Sequence, residues 1–163
     1  MADHYRLRPA SRADAPALAA LELASFPDPW SVEQLRTALD DEAVRGMIAE
    51  SASGELVGYA ISRTVADEGE LLSVTARPGL RRRGIGALLL DDALAGMRAA
   101  GAATAWLEVR ESNRAAQALY SRAGFVITGS RRRYYQHPVE DALLMRCALR
   151  PLGPPASSGH EAR

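Results

Sequence analysis

The stretch from Glu70 to Ala100, ELLSVTARPGLRRRGIGALLLDDALAGMRAA, decides how this chain reads. It opens with a β-prone apolar run (Leu71, Leu72, Val74) that stops at Arg77-Pro78, where proline withdraws a backbone donor. Arg81-Arg82-Arg83-Gly84-Ile85-Gly86-Ala87 comes next, and a helical period follows without a break. Ile85, Leu89, Leu90, Ala93, Leu94 and Met97 fall on one side of the wheel, with Asp91 and Arg98 on the other. The pattern predicts strand, loop and helix.

A loop of arginines and glycines at the start of a helix is suited to an anion. The first helical turn leaves N–H groups unpaired, and the macrodipole favours negative charge there. Glycines let backbone approach the anion closely, so a diphosphate fits. The loop is not a dinucleotide fingerprint, because Leu89 stands where the third glycine would be and Pro78 to Arg83 is too long for that turn. It lacks Gly-Lys-Ser/Thr and is no P-loop. A solvated basic loop before an ordinary amphipathic helix is the competing reading.

Length and composition narrow the field. At 163 residues, 47% apolar and 25% charged, the chain reads as one globular domain over about residues 1–150, with a Pro/Gly/Ser-rich tail at 151–163 expected to be disordered. Zero formal net charge argues against a general nucleic-acid binder. All twenty basic residues are arginine, which excludes a catalytic lysine or Schiff base. Cys147 is the only cysteine and reads as a core residue of a late strand. His4, His137 and His160 lack metal-ligand spacing, so no metal is expected. No apolar run spans a bilayer and no signal region is visible, so a cytoplasmic protein is expected.

Taken in order, Tyr5 to Pro9 reads as a strand and Ser11 to Ala24 as a helix. Phe26-Pro27-Asp28-Pro29-Trp30 is an aromatic turn, and Ser31-x-x-Gln34 is a capping box for a helix ending near Asp40. Strands follow at Val44–Glu50 and Leu56–Thr64, split by Ser53-Gly54. Beyond the central stretch, Thr104–Val109 is a strand, with Ala105, Leu107 and Val109 on one face and Trp106, Glu108 and Arg110 on the other. Ser112 reads as the cap of a helix from Asn113 to Ala123, closed by Gly124. A strand at Phe125–Thr128, an arginine-tyrosine loop at 131–135 and a last strand at Ala142–Leu149 complete an α/β domain with a mixed sheet.

Two sets of residues carry a family resemblance. Arg81-x-x-Gly84-x-Gly86, after a strand, resembles the Q/R-x-x-G-x-G/A loop of the GNAT acetyltransferases. Phe26-Pro27, Trp30-Ser31, Trp106-Leu107-Glu108-Val109-Arg110-x-Ser112-Asn113, Ala118-Leu119-Tyr120, Gly124-Phe125 and Arg131-Arg132-x-Tyr134-Tyr135 with Glu140-Asp141-Ala142 resemble the RimI type within that family, the ribosomal-protein-alanine N-acetyltransferases. The element order agrees from about Tyr5 to Met145. The chain departs where relatives read I-A-V-D/H-P and it has Val74-Thr75-Ala76-Arg77-Pro78.

The resemblance implies a GNAT (acyl-CoA N-acyltransferase) fold, a mixed central sheet flanked by helices, with acetyl-CoA as co-substrate. It implies that backbone groups of Val74, Thr75 and Ala76 hold the acetyl carbonyl and pantetheine arm. The loop residues Arg82, Arg83, Gly84, Ile85, Gly86 and Ala87 would hold the diphosphate, and Asn113 would contact acetyl-CoA. Glu108 would be the general base and Tyr120 the general acid. The implied acceptor is a protein N-terminal α-amine, the N-terminal alanine of ribosomal small-subunit protein eighteen, acetylated by direct transfer; a monomer without direct nucleic-acid or membrane partners is expected.

Elementary chemistry suits those roles. An α-amine titrates near 8, so about a tenth is neutral at pH 7, whereas a lysine near 10.4 needs far more help. A phenol near 10 is uphill of a thiolate near 8.5 by about 2 kcal/mol unless the site tunes it. Read without the family, Glu108 is an ordinary strand carboxylate and Tyr120 a half-buried helix aromatic. The arginine-tyrosine loop, with Phe26 and Trp30, either lines an acceptor groove or is a solvated hairpin loop. A GNAT acting on lysine side chains or small amines, and a non-catalytic acyl-CoA-binding module, stay open as alternatives.

Overall fold

The computed structural model describes residues 4–149, so the tail expected at 151–163 lies outside the described residues. Seven strands form one mixed sheet in the order β1-β2-β3-β4-β5-β7-β6. They are β1 (Arg6–Pro9), β2 (Val44–Glu50), β3 (Leu56–Val65), β4 (Glu68–Ala76), β5 (Thr104–Arg110), β6 (Val126–Gln136) and β7 (Val139–Ala148). The helices are α1 (Ala15–Ser25), α2 (Val32–Asp40), α3 (Ile85–Ala99) and α4 (Arg114–Arg122). The expected order of elements holds throughout.

Local chemistry explains most of the boundaries. The capping box at the start of α2 is formed: Gln34 N–H donates to Ser31 Oγ at 3.1 Å, and Ser31 N–H donates to Gln34 Oε1 at 2.9 Å. After α4, Phe125 N–H returns to the Tyr120 carbonyl at 3.0 Å, closing the helix at Gly124 as expected. α1 starts later than the expected Ser11, because Arg12–Asp14 forms a single 3-10 turn first. Asp14 there accepts Ser11 N–H at 2.7 Å and is gripped by Arg8, which holds its carboxyl down at about 2.

The helices cover the sheet on two sides. α1 and α2 bury Leu18, Leu21 and Leu35 against Ile48, Tyr59 and Ile61. On the other side Leu90, Leu94 and Met97 of α3 and Tyr120 of α4 pack with Leu107, Val109, Met145 and Cys147. The inward face of β5 is Ala105, Leu107 and Val109, as the alternation predicted. Cys147 is buried, and burial pushes its thiol up.

One element corrects the sequence reading. Residues 131–135 are not a loop but the second half of β6, paired with β7 at Arg131↔Ala142 and Tyr135↔Glu140 across a bulge. Arg133 takes a positive φ of 51° at that bulge. β6 is the sheet's edge and is exposed along most of its length, so no apolar alternation marked its second half as a strand.

The feature that positions the site lies in mid-sheet. β4 and β5 run parallel but pair only at Glu68↔Thr104, Gly69↔Ala105 and Glu70↔Trp106. β4 remains paired to β3 as far as Ala76, with a register shift where Ile61 faces Ser73 and Ser62 faces Leu71. A bulge bends a strand and increases its twist, which carries β4 away from β5. From Leu71 onward the β5-facing edge of β4 therefore has no ladder partner in β5.

Candidate active site

The split between β4 and β5 opens a cleft lined by Val74 from β4, Glu108 from β5, and Asn113 and Tyr120 from the α4 segment. Glu22, Phe26 and Asp28 close it from α1 and the turn behind it, and Tyr135 from β6. A longer groove runs from it past Thr75, Ala76, Arg81, Arg82, Gly84, Gly86 and Ala87, with Leu119 and Arg122 opposite. Phe26, Val74, Asn113 and Ala116 line both, so cleft and groove meet there.

The groove has the donors an extended anionic ligand needs. Gly84 is the N-cap of α3 at φ 81°, a left-handed backbone that glycine adopts without steric cost. It offers no capping side chain, so the first-turn amides of Ile85, Gly86 and Ala87 keep their donors for another partner. Among the described residues Arg81 and Arg82 have no ion-pair partner, and both line the groove. Arg83 and Ile85 do not line it; Ile85 is 1% exposed and packs in the core beside Leu89. These residues fit the diphosphate and pantetheine of a coenzyme A thioester: an open strand edge for an amide-bearing arm, then unpaired amides and arginines for charge. Among the described residues no His/Cys/Asp/Glu group is placed to hold a metal.

Asn113, not Ser112, caps α4, and its Oδ1 accepts Ala116 N–H at 3.1 Å. Asn113 also lines both cleft and groove. Tyr120 is buried, stacks edge-on against Phe125 at 6.0 Å, and burial pushes its phenol up to about 12. A thiolate formed in the same dry cleft is raised too, so the gap between the pair, not either value alone, sets the cost of proton transfer.

Glu108 has two polar neighbours. Its Oε1 lies 2.9 Å from Arg131 Nε, and the carboxylate raises the pKa of the neighbouring Tyr134 phenol. A second hollow bounded by Glu70, Trp106, Arg131 and Leu144 also reaches Glu108. Arg110, two residues on, ties the cleft's walls together. It donates to Asp28 at 2.6 Å and to Glu140 at 3.1 Å, and stacks over the Tyr135 ring at 4.2 Å. Of the four aromatics expected around an acceptor groove, Phe26 and Tyr135 line the cleft, and Tyr134 stands edge-on to Tyr135 at 5.1 Å outside its lining. Trp30 instead packs against the α1–α2 core.

Glu22 was not anticipated. It is 3% exposed, and burial pushes its carboxyl up to about 7, although Trp30 N–H and Ser73 Oγ each reach it at 3.4 Å. In the sequence it sits inside the alanine- and leucine-rich run of α1, where nothing separates it from a solvated helix carboxylate.

The acetyltransferase (GNAT) family matches the chain over residues 15–125, and the chain belongs to that family. Members of the family use acetyl-CoA. The chain is 35% identical over 138 residues to the [ribosomal protein bS18]-alanine N-acetyltransferase of Salmonella typhimurium, covering 83% of this chain and 91% of that one. It is 39% identical over 142 residues to the N-alpha-acetyltransferase RimI of Mycobacterium tuberculosis, covering 83% and 87%. The crystal structure of the ribosomal-protein-S18-alanine N-acetyltransferase from Escherichia coli superposes with a TM-score of 0.82 at 30% identity, covering 90% and 94%. Ard1 from Thermoplasma volcanium, 24% identical with a TM-score of 0.81, shares the fold.

Proposed function

We propose that this chain is a cytoplasmic enzyme that transfers the acetyl group of acetyl-CoA to the α-amine of a protein N-terminus, that of alanine in ribosomal protein bS18. The observation that carries the reading is the meeting of cleft and groove at Val74 and Asn113, with Glu108 and Tyr120 lining the cleft. The name of a relative at 35% identity supports this acceptor, and that of one at 39% supports an α-amine.

Acetyl-CoA supplies the thioester. Backbone groups of Val74, Thr75 and Ala76 on the open edge of β4 hold the pantetheine arm and polarise the acetyl carbonyl. The first-turn amides of α3 and the loop arginines hold the diphosphate. The acceptor arrives through the hollow beside Glu70, Trp106 and Arg131, which places its amine near Glu108. Glu108 takes a proton from the attacking nitrogen, directly or through one water, and Tyr120 gives its proton to the departing thiolate. The reading takes transfer as direct; the one thiol, Cys147, packs in the core and is absent from the cleft lining.

Coenzyme A release and product mass, measured on two synthetic peptides, test this. One begins Ala-Arg with a free α-amine; the other is blocked there and carries a lysine. Turnover of the first alone is expected. Turnover of the second alone, or of neither, would refute the acceptor.

A further inference from the structure

Glu22 has an unusual position for a carboxylate. It lies on the face of α1 turned to the sheet, beside the buried Leu18 and Leu21. A buried carboxylate is ordinarily paired with a cation, because removing its charge from water costs several kcal/mol. Among the described residues no arginine or histidine pairs with Glu22. Its two hydrogen bonds, from Trp30 N–H and Ser73 Oγ, are both long at 3.4 Å. An ionised carboxylate offers about four acceptor sites, so much of this capacity is unspent.

That capacity faces the cleft. The other titratable or charged groups lining it are Asp28, Glu108, Arg110, Tyr120 and Tyr135. Arg110 is committed to Asp28 and Glu140, and Glu108 to Arg131. The elements packed beside α1 present apolar Leu35, Ile48 and Ile61, and Tyr59, whose hydroxyl meets Ser73 Oγ at 3.3 Å. Glu22 is thus a buried carboxyl, lacking a charged partner, in a cleft that must admit an amine.

On the α-amine reading above, we propose that Glu22 is a second catalytic carboxylate, which accepts a hydrogen bond from the arriving α-ammonium and takes one of its protons before attack. The N–H bond breaks with its electron pair left on nitrogen, and the proton forms an O–H bond on Glu22 and is later lost to solvent. The neutral amine then forms the C–N bond, and a second proton leaves nitrogen for Glu108 and then solvent. The C–S bond breaks, the thiolate takes the Tyr120 proton, and solvent restores it. One hydrogen remains on the amide, and one proton is released overall. A carboxyl near 7 suits an ammonium near 8 better than an ordinary carboxylate near 4.3, because the transfer is uphill by about one unit rather than about four.

The test is kcat/KM for the Ala-Arg peptide from about pH 6 to 9.5, for wild type, Glu22→Gln and Glu22→Asp, with acetyl-CoA binding measured on each. A Gln variant can use only amine that arrives neutral. It should lose about tenfold at pH 7, and the loss should fade above about pH 9, where the amine is neutral anyway. A loss equal at every pH, or none, overturns the proposal while leaving the α-amine reading intact. No wild-type turnover of the peptide overturns both. If the Gln variant fails to bind acetyl-CoA, Glu22→Asp decides: a displaced acidic limb supports the proposal and an unmoved one refutes it.

Discussion

Glu108 Oε1 and Arg131 Nε lie 2.9 Å apart, joining the middle of the sheet to its edge strand. The pair restrains the carboxylate of a residue that lines both the cleft and the hollow beside it. Arg131 is 58% exposed, so the pair itself contributes only about 0–1 kcal/mol to stability. Arg131→Ala should therefore leave the melting temperature nearly unchanged. Its kcat/KM should fall about tenfold, the scale of a misplaced catalytic group. Parallel thermal scans and steady-state kinetics read the two effects.

Tyr120→Phe removes the hydroxyl and keeps the ring against Phe125. Folding should change little, whereas kcat should fall about 10²–10³-fold with acetyl-CoA affinity preserved. Burial raises this phenol to about 12, so the acid stays protonated through the working range. Loss of the Tyr120 proton should then produce no alkaline decline in wild-type kcat below about pH 10. A pH profile of kcat checks it.

Gly84→Ala tests the phosphate loop. A Cβ there meets open space, so the cost is that of a left-handed alanine alone, about 1 kcal/mol. That corresponds to a melting point lower by about 2–4 °C. Acetyl-CoA binding, followed by calorimetry, should weaken as the first-turn amides rotate out of line, with peptide KM little affected.

Much of this was legible in the chain, for reasons that differ by residue. Gly84 and Gly86 announce the loop because glycine before a helical period has few other uses, and Leu107 and Val109 mark β5 by alternation. Glu108 and Tyr120 carry no local signal; only the family resemblance singled them out, and the fold then brought both to one cleft. The second half of β6 escaped because an edge strand that is wet on both faces needs no apolar pattern. Glu22 escaped because burial is a tertiary fact: nothing in α1 says that Ser73 and the Phe26–Trp30 turn will close over it.

Arg8 joins β1 to Asp14 and Glu50, and both carboxyls are lowered by it. A lowered folded-state pKa means stability that is present above the unfolded value and lost as pH falls through the folded one. Wild type should hold an advantage over Arg8→Ala at pH 6, small because the pairs are solvent-screened. That advantage should shrink between about pH 4 and 2, the interval from Asp14's ordinary value to its folded one. Urea unfolding at several pH values measures the gap.

The most direct test of the account is Glu108→Gln, assayed for kcat on the Ala-Arg peptide alongside its dissociation constant for acetyl-CoA. The substitution keeps the shape of the side chain but removes its charge, one of its two acceptor oxygens and its capacity to take a proton. The account predicts that kcat falls about 100-fold or more while acetyl-CoA binds within about twofold of wild type. An unchanged kcat would contradict it.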